Sequence, residues 1–360
     1  MALEEVLARG ARQGPMRLGT QLDYAGGFAE AVEQAVAFEN IGLDVVWVPE
    51  AYGFDAPTLM GYLAARTERV QIGAGILPIY SRTPALLAQT AAGLDYISNG
   101  RAILGLGASG PQVIEGWHGV PFDRPLQRTR EIVEICRRAW RREALAHQGP
   151  CYTLPLPADR GTGLGKSLKM LTHPLRDRIP IYVAALGPQS VEMTAEIADG
   201  WLPMFYIPEK ASDTWGGALA RGLARRPLEL GPLEVSAGGP VAIGEHVEHL
   251  RDLARPTIAL YVGGMGARGR NFYNDLVRRY GYEREATQIQ DLYLDGKRSE
   301  AAAAVPADLL EATSLIGPAA YVKERIAAFK AAGVTVLNVT PLGPDPVKVV
   351  ARVKEWVEQA

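Results

Sequence analysis

The sequence has 360 residues, of which 48% are hydrophobic and 22% are charged. A chain of this length and composition can bury a full core, which excludes an intrinsically disordered protein as the default. Lys and Arg together number 38 against 40 Asp and Glu, so the formal net charge is -2. This balance supplies no general field to hold a nucleic acid or an anionic membrane, and a small molecule is the expected partner.

The cysteines and the start of the chain indicate the cellular compartment in which the protein is expected. Cys136 and Cys151 form no CxxC pair, and so few thiols in a long chain argue against a secreted disulfide scaffold. No segment approaches the roughly 18 consecutive apolar residues of a membrane helix. Residues 1–15 open with an acidic, helix-forming stretch, whereas a signal peptide is basic and then apolar. We therefore expect a cytoplasmic protein with a short leader at 1–15.

One unit repeats through the first half of the chain. It consists of an apolar, β-branched run, a turn rich in Gly, Asp or Pro, and an amphipathic helix, which is typical of a parallel sheet. Strands are predicted at 16–23, 44–50, 70–76 and 101–107, and helices at 28–42, 57–67 and 84–98.

In the second half the same pattern is interrupted twice. After a long predicted helix at 125–145, the Gly- and Pro-rich stretch 146–178 contains no predicted element and is interpreted as an insertion or active-site lid. Residues 244–305 have a helical pattern without a predicted strand and are interpreted as a helical elaboration. The remaining strands are predicted at 179–185, 199–205, 233–243 and 334–340, with helices at 187–198 and 208–225.

Eight strands joined by crossover helices in one continuous chain predict the fold. Doubly wound sheets usually stop at about five to seven strands. The sequence therefore predicts an α/β protein with a closed (β/α)8 TIM barrel, formed by a single domain at 16–360.

Two glycine-rich motifs are similar to nucleotide-binding loops but lie in the wrong context. GLGASG at 105–110 satisfies GxGxxG, yet it follows the fourth predicted strand, and Pro111 with GWHGVPF delays the next helix. We interpret it as a loop at the barrel rim; the alternative is an NAD-dependent Rossmann dehydrogenase. GTGLGKS at 161–167 is one residue shorter than a Walker A loop and is interpreted as a glycine loop, from which Lys166 could reach a phosphate.

Two strand ends have features of a cofactor site. Gly73 and Gly75 lie in an apolar strand that ends at Ile76, and such a glycine pair indicates a bulge or a close approach of backbone to a flat group. AALGPQS at 184–190 ends a strand in small residues and opens a helix at Gly187, and helix starts of this kind hold phosphates. An ordinary turn explains the second feature equally well.

Polar residues at strand ends are candidates for chemistry, because the carboxyl-terminal face of a barrel carries the active site. Asp23, Glu50 and Ser109 hold such positions, and His118 lies in the loop after the fourth strand. Glu50 is also consistent with a helix cap or a surface pair, and a lone His is usually structural. Metal-ligand spacing and the GxSxG motif do not occur in the sequence, so neither a metal nor serine-hydrolase chemistry is expected.

Several segments together carry a resemblance to a known family. They are WVPEAYGFDA, IGAGILPIYSRTPALLAQTAAGLDYISNGRAILGLGASGPQVIEGWHG, IPIYVAALGP and AEIADGWLP. Over nearly all of residues 16–342 the chain resembles the F420-dependent branch of the luciferase-like monooxygenase family. The resemblance implies a (β/α)8 barrel with an inserted region, a deazaflavin or flavin ring at its carboxyl-terminal mouth, and a homodimer.

The resemblance also implies the positions of cofactor contacts. It implies a non-proline cis peptide between Gly75 and Ile76 that presses on one face of the ring. The resemblance places the cofactor phosphate on the backbone around Leu186, Gly187 and Pro188. It places Ala108, Ser109 and Gly110 beside the ring or its tail.

The chain departs from the family pattern at two catalytic positions. Glu50 matches the acid after strand two that faces the cofactor. The His that follows this acid in the best-known deazaflavin dehydrogenases is Ala51 here, with Tyr52 next. Their acid after strand four is replaced by Pro111 or Gln112. The group that transfers a proton is therefore left open among Asp23, Glu50, Tyr52 and His118.

The resulting hypothesis is hydride transfer between C5 of F420 and a small organic substrate bound over the ring. A deazaflavin lacks the N5 at which flavins form an oxygen adduct, so use of F420 implies a dehydrogenase or a reductase. The alternatives are an FMN-dependent two-component monooxygenase of the same fold and a catalytically silent flavin-binding paralogue, which the missing His favours. Basic residues of the helical elaboration, such as Arg268 and Arg298, are candidates to contact the cofactor tail or a partner subunit; a solvated surface explains them equally well.

Overall fold

The computed structural model describes residues 14–23 and 27–359. Eight parallel strands close into a ring, in which each strand pairs with the next and the last returns to the first. In chain order they are β1 (Arg17–Gln21), β2 (Val45–Val48), β3 (Gln71–Ala74), β4 (Ala102–Gly107), β5 (Ile181–Ala184), β6 (Gly200–Leu202), β7 (Glu234–Ile243) and β8 (Val336–Pro341).

A crossover helix lies between successive ring strands, and an eighth follows β8. Asp55 caps the second helix by accepting a hydrogen bond from the Thr58 N–H at 3.2 Å, and Thr83 caps the third by accepting from the Leu86 N–H at 3.2 Å. The helices are α1 (Phe28–Asn40), α2 (Ala56–Arg66), α3 (Pro84–Ile97), α4 (Pro125–Trp140), α5 (Pro188–Ile197), α6 (Pro208–Ala224), α7 (Ala319–Ala331) and α8 (Pro346–Gln359).

Two large aromatic side chains fill the inside of the ring. Trp47 of β2 and Tyr182 of β5 are almost fully buried, and their ring centroids lie 5.3 Å apart. A Cβ atom on Gly73 would lie 2.4 Å from the Trp47 ring, and one on Gly200 would lie 2.4 Å from the Tyr182 ring. These distances leave no room for a side chain, so glycine at both positions provides the volume that the aromatic rings occupy.

A charged and polar cluster closes the amino-terminal end of the ring. Arg17, the first residue of β1, forms an ion pair with Glu234, the first residue of β7, and donates to Gln71 Oε1 at 2.5 Å. The Tyr182 hydroxyl also donates to Glu234. Because side chains fill the ring from this end, the space for a ligand lies at the carboxyl-terminal mouth.

The eight predicted ring strands all occur, and the predicted (β/α)8 barrel is confirmed. The helical pattern predicted for 244–305 is also found. In the described chain this region contains the helices Arg255–Ala259, Phe272–Arg279, Glu283–Leu294 and Arg298–Ala303, together with a π-helical turn at Leu260–Gly264. Most of the predicted leader at 1–15 lies outside the described residues. None of the described helices is long and apolar enough to cross a membrane.

Some predictions on local structure are wrong. A short helix, Pro111–Gly116, opens directly after GLGASG, where we expected a delay, because Gly110 serves as its N-cap. The stretch 146–178 contains a small antiparallel hairpin, His147–Gln148 with Thr153–Leu154, and therefore has an element. The predicted helix 125–145 ends at Trp140. A buried strand, Leu315–Gly317, pairs with β7 outside the ring and was missed because three residues show no alternation.

Candidate active site

Loops that follow β3, β4 and β5 form one side of the barrel mouth. The three strands are neighbours in the ring, so their loops are adjacent. Each loop exposes backbone and mostly small side chains, next to strand residues that are buried. We call this surface the backbone shelf; it consists of Gly75, Ile76, residues 108–110, Leu186 and Gly187.

The main chain at the end of β3 bulges toward β4. The peptide bond between Gly75 and Ile76 is cis, as the family resemblance implied. A Cβ atom on Gly105 would lie 1.7 Å from the Ala74 carbonyl oxygen, and one on Gly107 would lie 2.7 Å from Ile76 Cγ1. The first two glycines of GLGASG therefore permit close contact between strands, which is a structural reason for the motif that requires no dinucleotide.

The loop after β5 leads into a helix start with unused hydrogen-bond donors. Helix α5 begins at Pro188, and its N-cap, Gly187, makes no side-chain capping hydrogen bond. The first N–H groups of a helix have no partner inside the helix, and its amino-terminal end carries partial positive charge. The predicted phosphate residues Leu186, Gly187 and Pro188 thus lie where an anion is favoured.

An arginine from the helical elaboration reaches this loop. Arg279 donates from Nη2 to the Leu186 carbonyl oxygen at 2.8 Å, and Trp215 Nε1 donates to the same oxygen at 2.9 Å. Burial lowers the pKa of Arg279, although an arginine stays charged at neutral pH. Sequence analysis missed this residue, because 93 positions separate it from the loop and no local pattern links them.

A cavity of about 830 Å3 occupies the opposite side of the mouth. Residues from β1, β2, β7 and β8, the loop after β6 and the helical elaboration line it, and none of the backbone shelf residues does. The ring strands contribute, among others, Gln21, Val48, Ser236, Gly238 and Asn338.

Two of the four predicted catalytic residues line this cavity. Asp23 follows β1, and Tyr52 lies in the loop between β2 and α2, with 59% of its surface exposed. The two side chains come from neighbouring ring strands, so the fold brings them to the same wall. Their assignment as catalytic residues stays a prediction.

Glu50 has different surroundings. Its carboxylate forms a bidentate pair with Arg82, with Nη1 to Oε1 at 2.6 Å and Nη2 to Oε2 at 2.8 Å. It also accepts a hydrogen bond from the Ala56 N–H at 2.7 Å, and its side chain is only 6% exposed. Glu50 does not line the cavity. Its carboxylate instead joins the two ends of the loop at 51–55.

The last predicted catalytic residue, His118, and the predicted phosphate contact, Lys166, lie apart from the cavity. His118 follows the short helix after β4; its Nε2 atom is buried and has no hydrogen-bond partner in the described part of the chain. Lys166 is exposed in the insertion. The structure therefore brings neither side chain to the cavity wall, and their roles stay predictions.

Polar atoms without partners lie inside the cavity region. The Ser236 hydroxyl and Asn338 Oδ1 are both buried and have no hydrogen-bond partner among the described residues, and both residues line the cavity. They lie on adjacent strands, since Gly238 of β7 is level with Asn338 of β8. Buried polar groups in proteins are nearly always hydrogen-bonded, so a ligand or a water molecule is expected at these atoms. Sequence reasoning missed both residues.

The insertion is anchored to α4 by a buried carboxylate. Glu131 accepts hydrogen bonds from the Tyr152 N–H at 2.8 Å and the Cys151 N–H at 3.1 Å, and its Oε2 lies 3.0 Å from His147 Nε2. Burial raises the pKa of Glu131, but the hydrogen bonds outweigh this effect, and the pKa lies below its usual value of 4.5. The hairpin is thus held in place by an ionised group.

The fold and the site define a (β/α)8 barrel with its ligand site at the carboxyl-terminal mouth. The chain belongs to the luciferase-like monooxygenase family, whose sequence profile matches residues 11–336. A Mycobacterium tuberculosis protein, provisionally named a coenzyme F420-dependent oxidoreductase, is 42% identical over 339 residues, which are 92% of this chain and 97% of that protein.

Two solved structures have the same fold. The coenzyme F420-dependent tetrahydromethanopterin reductase from Methanopyrus kandleri has a TM-score of 0.78 and 23% identity, and the match covers 94% of this chain and 97% of that one. An F420-dependent secondary alcohol dehydrogenase, solved in complex with an F420-acetone adduct, has a TM-score of 0.71 and 19% identity, and the match covers 96% and 99%.

Proposed function

We propose that this protein is an F420-dependent reductase or dehydrogenase that transfers a hydride between the deazaflavin and a small organic substrate. The observation that carries the proposal is the backbone shelf, which lies on the other side of the mouth from a cavity of about 830 Å3. The relative that is 42% identical over 92% of the chain supports the choice of F420.

The residues present fit a flat ring with an anionic tail. The residues of the backbone shelf are half-buried and none of them is charged, so Gly75, Ile76 and residues 108–110 would hold the ring. The start of α5 would hold the phosphate at Leu186, Gly187 and Pro188, and Arg279 beside this loop adds positive charge. When bound, F420 supplies or accepts a hydride at C5.

The side chains of the protein would orient the substrate and exchange a proton with its oxygen. Tyr52 and Asp23 line the cavity and are the proposed donors or acceptors for the substrate oxygen. We assign Tyr52 the first place, since its phenol hydroxyl can donate a hydrogen bond and a carboxylate such as that of Asp23 only accepts one. Glu50 would act through the loop that carries Tyr52, as a positioning residue. We retain His118 and Lys166 as weaker candidates, for the proton and for the cofactor tail.

A titration of the purified protein with oxidised F420, oxidised FMN and reduced FMN tests this proposal. Cofactor fluorescence and calorimetric heat would be followed together. We expect micromolar binding of F420 and binding of either FMN form at least tenfold weaker. Preference for reduced FMN would instead identify a two-component monooxygenase, and absence of binding by all three would refute a deazaflavin or flavin enzyme.

A further inference from the structure

We propose that the cavity admits uncharged substrates that have an apolar body and a hydroxyl or carbonyl group, and that it excludes phosphorylated and carboxylated ones. This inference rests on the proposed function for the reaction, but its physical basis is the cavity wall alone. The cavity and the backbone shelf share no lining residue, so the substrate side of the mouth has its own chemistry.

The charges of the cavity wall disfavour an anion. Among the described lining residues the ionisable side chains are Asp23, Asp55, Tyr52 and Tyr261, and none is Lys, Arg or His. An entering phosphate or carboxylate would lie near these two carboxylates, and no described lining residue would offer it a positive charge. Water screens charges poorly in such a cleft, so this arrangement disfavours an anion.

Two arginines close to the mouth already have partners. Arg82 is bound by both oxygens of Glu50, and Arg279 donates to the Leu186 carbonyl on the shelf side. Neither lines the cavity, and no Lys, Arg or His is among its described lining residues.

The polar atoms of the cavity suit a single neutral oxygen function. The Ser236 hydroxyl can donate to a carbonyl oxygen, and Asn338 Oδ1 can accept from a hydroxyl; both atoms are buried and lack a partner in the described chain. A ketone and the matching alcohol would each satisfy one of them. In such a pair the carbonyl carbon gains a hydride and its oxygen a proton, and the reverse reaction removes both.

The rest of the wall suits an apolar body. Most of its residues are apolar, among them leucines, methionines, alanines, prolines and aromatic residues. Phe28 packs edge to face against Phe54 at the rim, with centroids 5.3 Å apart. Methionine adapts its shape to different ligands, and Met204 and Met265 both line the cavity. The volume of about 830 Å3 lies within the roughly 300–1,000 Å3 of pockets that hold drug-sized molecules.

Three matched probes test the inference: 2-acetylnaphthalene, its carboxylated analogue 6-acetyl-2-naphthoate, and naphthalene. Equilibrium dialysis would measure their affinity for the wild-type protein, with and without saturating F420. We expect the neutral ketone to bind at least tenfold more tightly than the carboxylate. We also expect Ser236→Ala to weaken binding of the ketone about fivefold and to leave binding of naphthalene unchanged.

A charge variant provides the complementary test. Thr257→Lys adds a cation to the cavity wall, and we expect it to raise affinity for the carboxylate at least tenfold; Gln288→Lys, on the outer surface, should change neither affinity. Equal or tighter binding of the carboxylate by wild type, or no binding of the ketone, would overturn the inference. Separate F420 titrations of the same samples show whether the proposed function fails as well, since cofactor binding does not depend on these probes.

Discussion

Arg82 holds both carboxylate oxygens of Glu50, at 2.6 and 2.8 Å, and the same carboxylate bonds to the Ala56 N–H at the far end of the Tyr52 loop. The Glu50 side chain is 6% exposed and that of Arg82 is 12% exposed. This buried ion pair thus stabilises the loop at 51–55, which forms one wall of the cavity.

Glu50→Gln is expected to destabilise the protein by about 3 kcal/mol, because it leaves the Arg82 charge buried without its partner. Urea unfolding measures this change. The double variant Glu50→Gln/Arg82→Met removes both charges and should regain most of the lost stability. Because a glutamine at position 50 can still accept the hydrogen bond from the Ala56 N–H, we expect turnover to return with stability; a stable double variant without turnover would contradict a role of Glu50 limited to this contact.

Tyr52→Phe is expected to lower kcat about 100-fold, within the range found when a general acid is lost, and to leave the Kd for F420 unchanged. Steady-state kinetics with a substrate found by screening measures the first quantity, and fluorescence titration the second. Tyr96→Phe is the control, because Tyr96 is 67% exposed on α3 and lies outside the cavity. Unchanged turnover of Tyr52→Phe would transfer the proton role to Asp23.

Arg279→Gln is expected to raise the Kd for F420 about tenfold, equivalent to about 1.4 kcal/mol, since it removes positive charge beside the phosphate loop while keeping a hydrogen-bond donor. The difference from wild type should shrink in high salt. Arg352→Gln serves as the matched control, because Arg352 is exposed on α8 and pairs with Glu355 at 2.8 Å. Equal F420 affinities of wild type and Arg279→Gln would contradict the placement of the phosphate.

Gly105→Ala and Gly93→Ala are expected to change stability in opposite directions. A Cβ on Gly105 meets the Ala74 carbonyl oxygen at 1.7 Å, so the β3 bulge must move, and we expect a loss of about 3 kcal/mol. A Cβ on Gly93 of α3 meets nothing within 4 Å, and alanine favours a helix by roughly 0.5–1 kcal/mol. Denaturant unfolding measures the free energy of unfolding of both variants. An unchanged stability of Gly105→Ala would contradict the close approach of Gly105 to the Ala74 carbonyl.

Glu131→Gln is expected to cost about 2 kcal/mol at neutral pH, because charge-assisted hydrogen bonds to the insertion become neutral ones. Since the pKa of Glu131 is lowered in the folded protein, its contribution is full above 4.5 and is lost as pH falls through the folded value. The stability difference between wild type and variant should therefore narrow in acid. Urea unfolding at several pH values measures it, with the more exposed Glu134→Gln on the same helix as control.

The ring was predictable from the sequence because each βα unit carries its own local pattern. The close backbone approach at β3 was also predictable, since the glycine pair Gly73 and Gly75 lies in an otherwise apolar strand. Short elements were not predictable from the sequence. The strand Leu315–Gly317 and the hairpin strand His147–Gln148 are too short to show an alternating pattern, and each pairs with residues elsewhere in the chain.

The site was predictable only in part, since contacts across the ring leave no trace in local sequence. The shelf loops lie where strand ends predicted them. Arg82 is 32 residues from Glu50, and Arg279 is 93 residues from Leu186. Ser236 and Asn338, 102 positions apart, lie on adjacent strands only when β7 pairs with β8, so their buried unpartnered atoms are a property of the closed barrel.

The aromatic filling of the ring also has a kinetic consequence. Among the described residues, Trp47, Tyr182 and the Arg17–Glu234 pair occupy the amino-terminal end of the ring, so the proposed cofactor and substrate would share the opening at the mouth. If one of the two molecules covers the other at this opening, the covered molecule must bind first and leave last. Product-inhibition kinetics would then show a compulsory order, and exchange of the covered molecule would wait until the other had left.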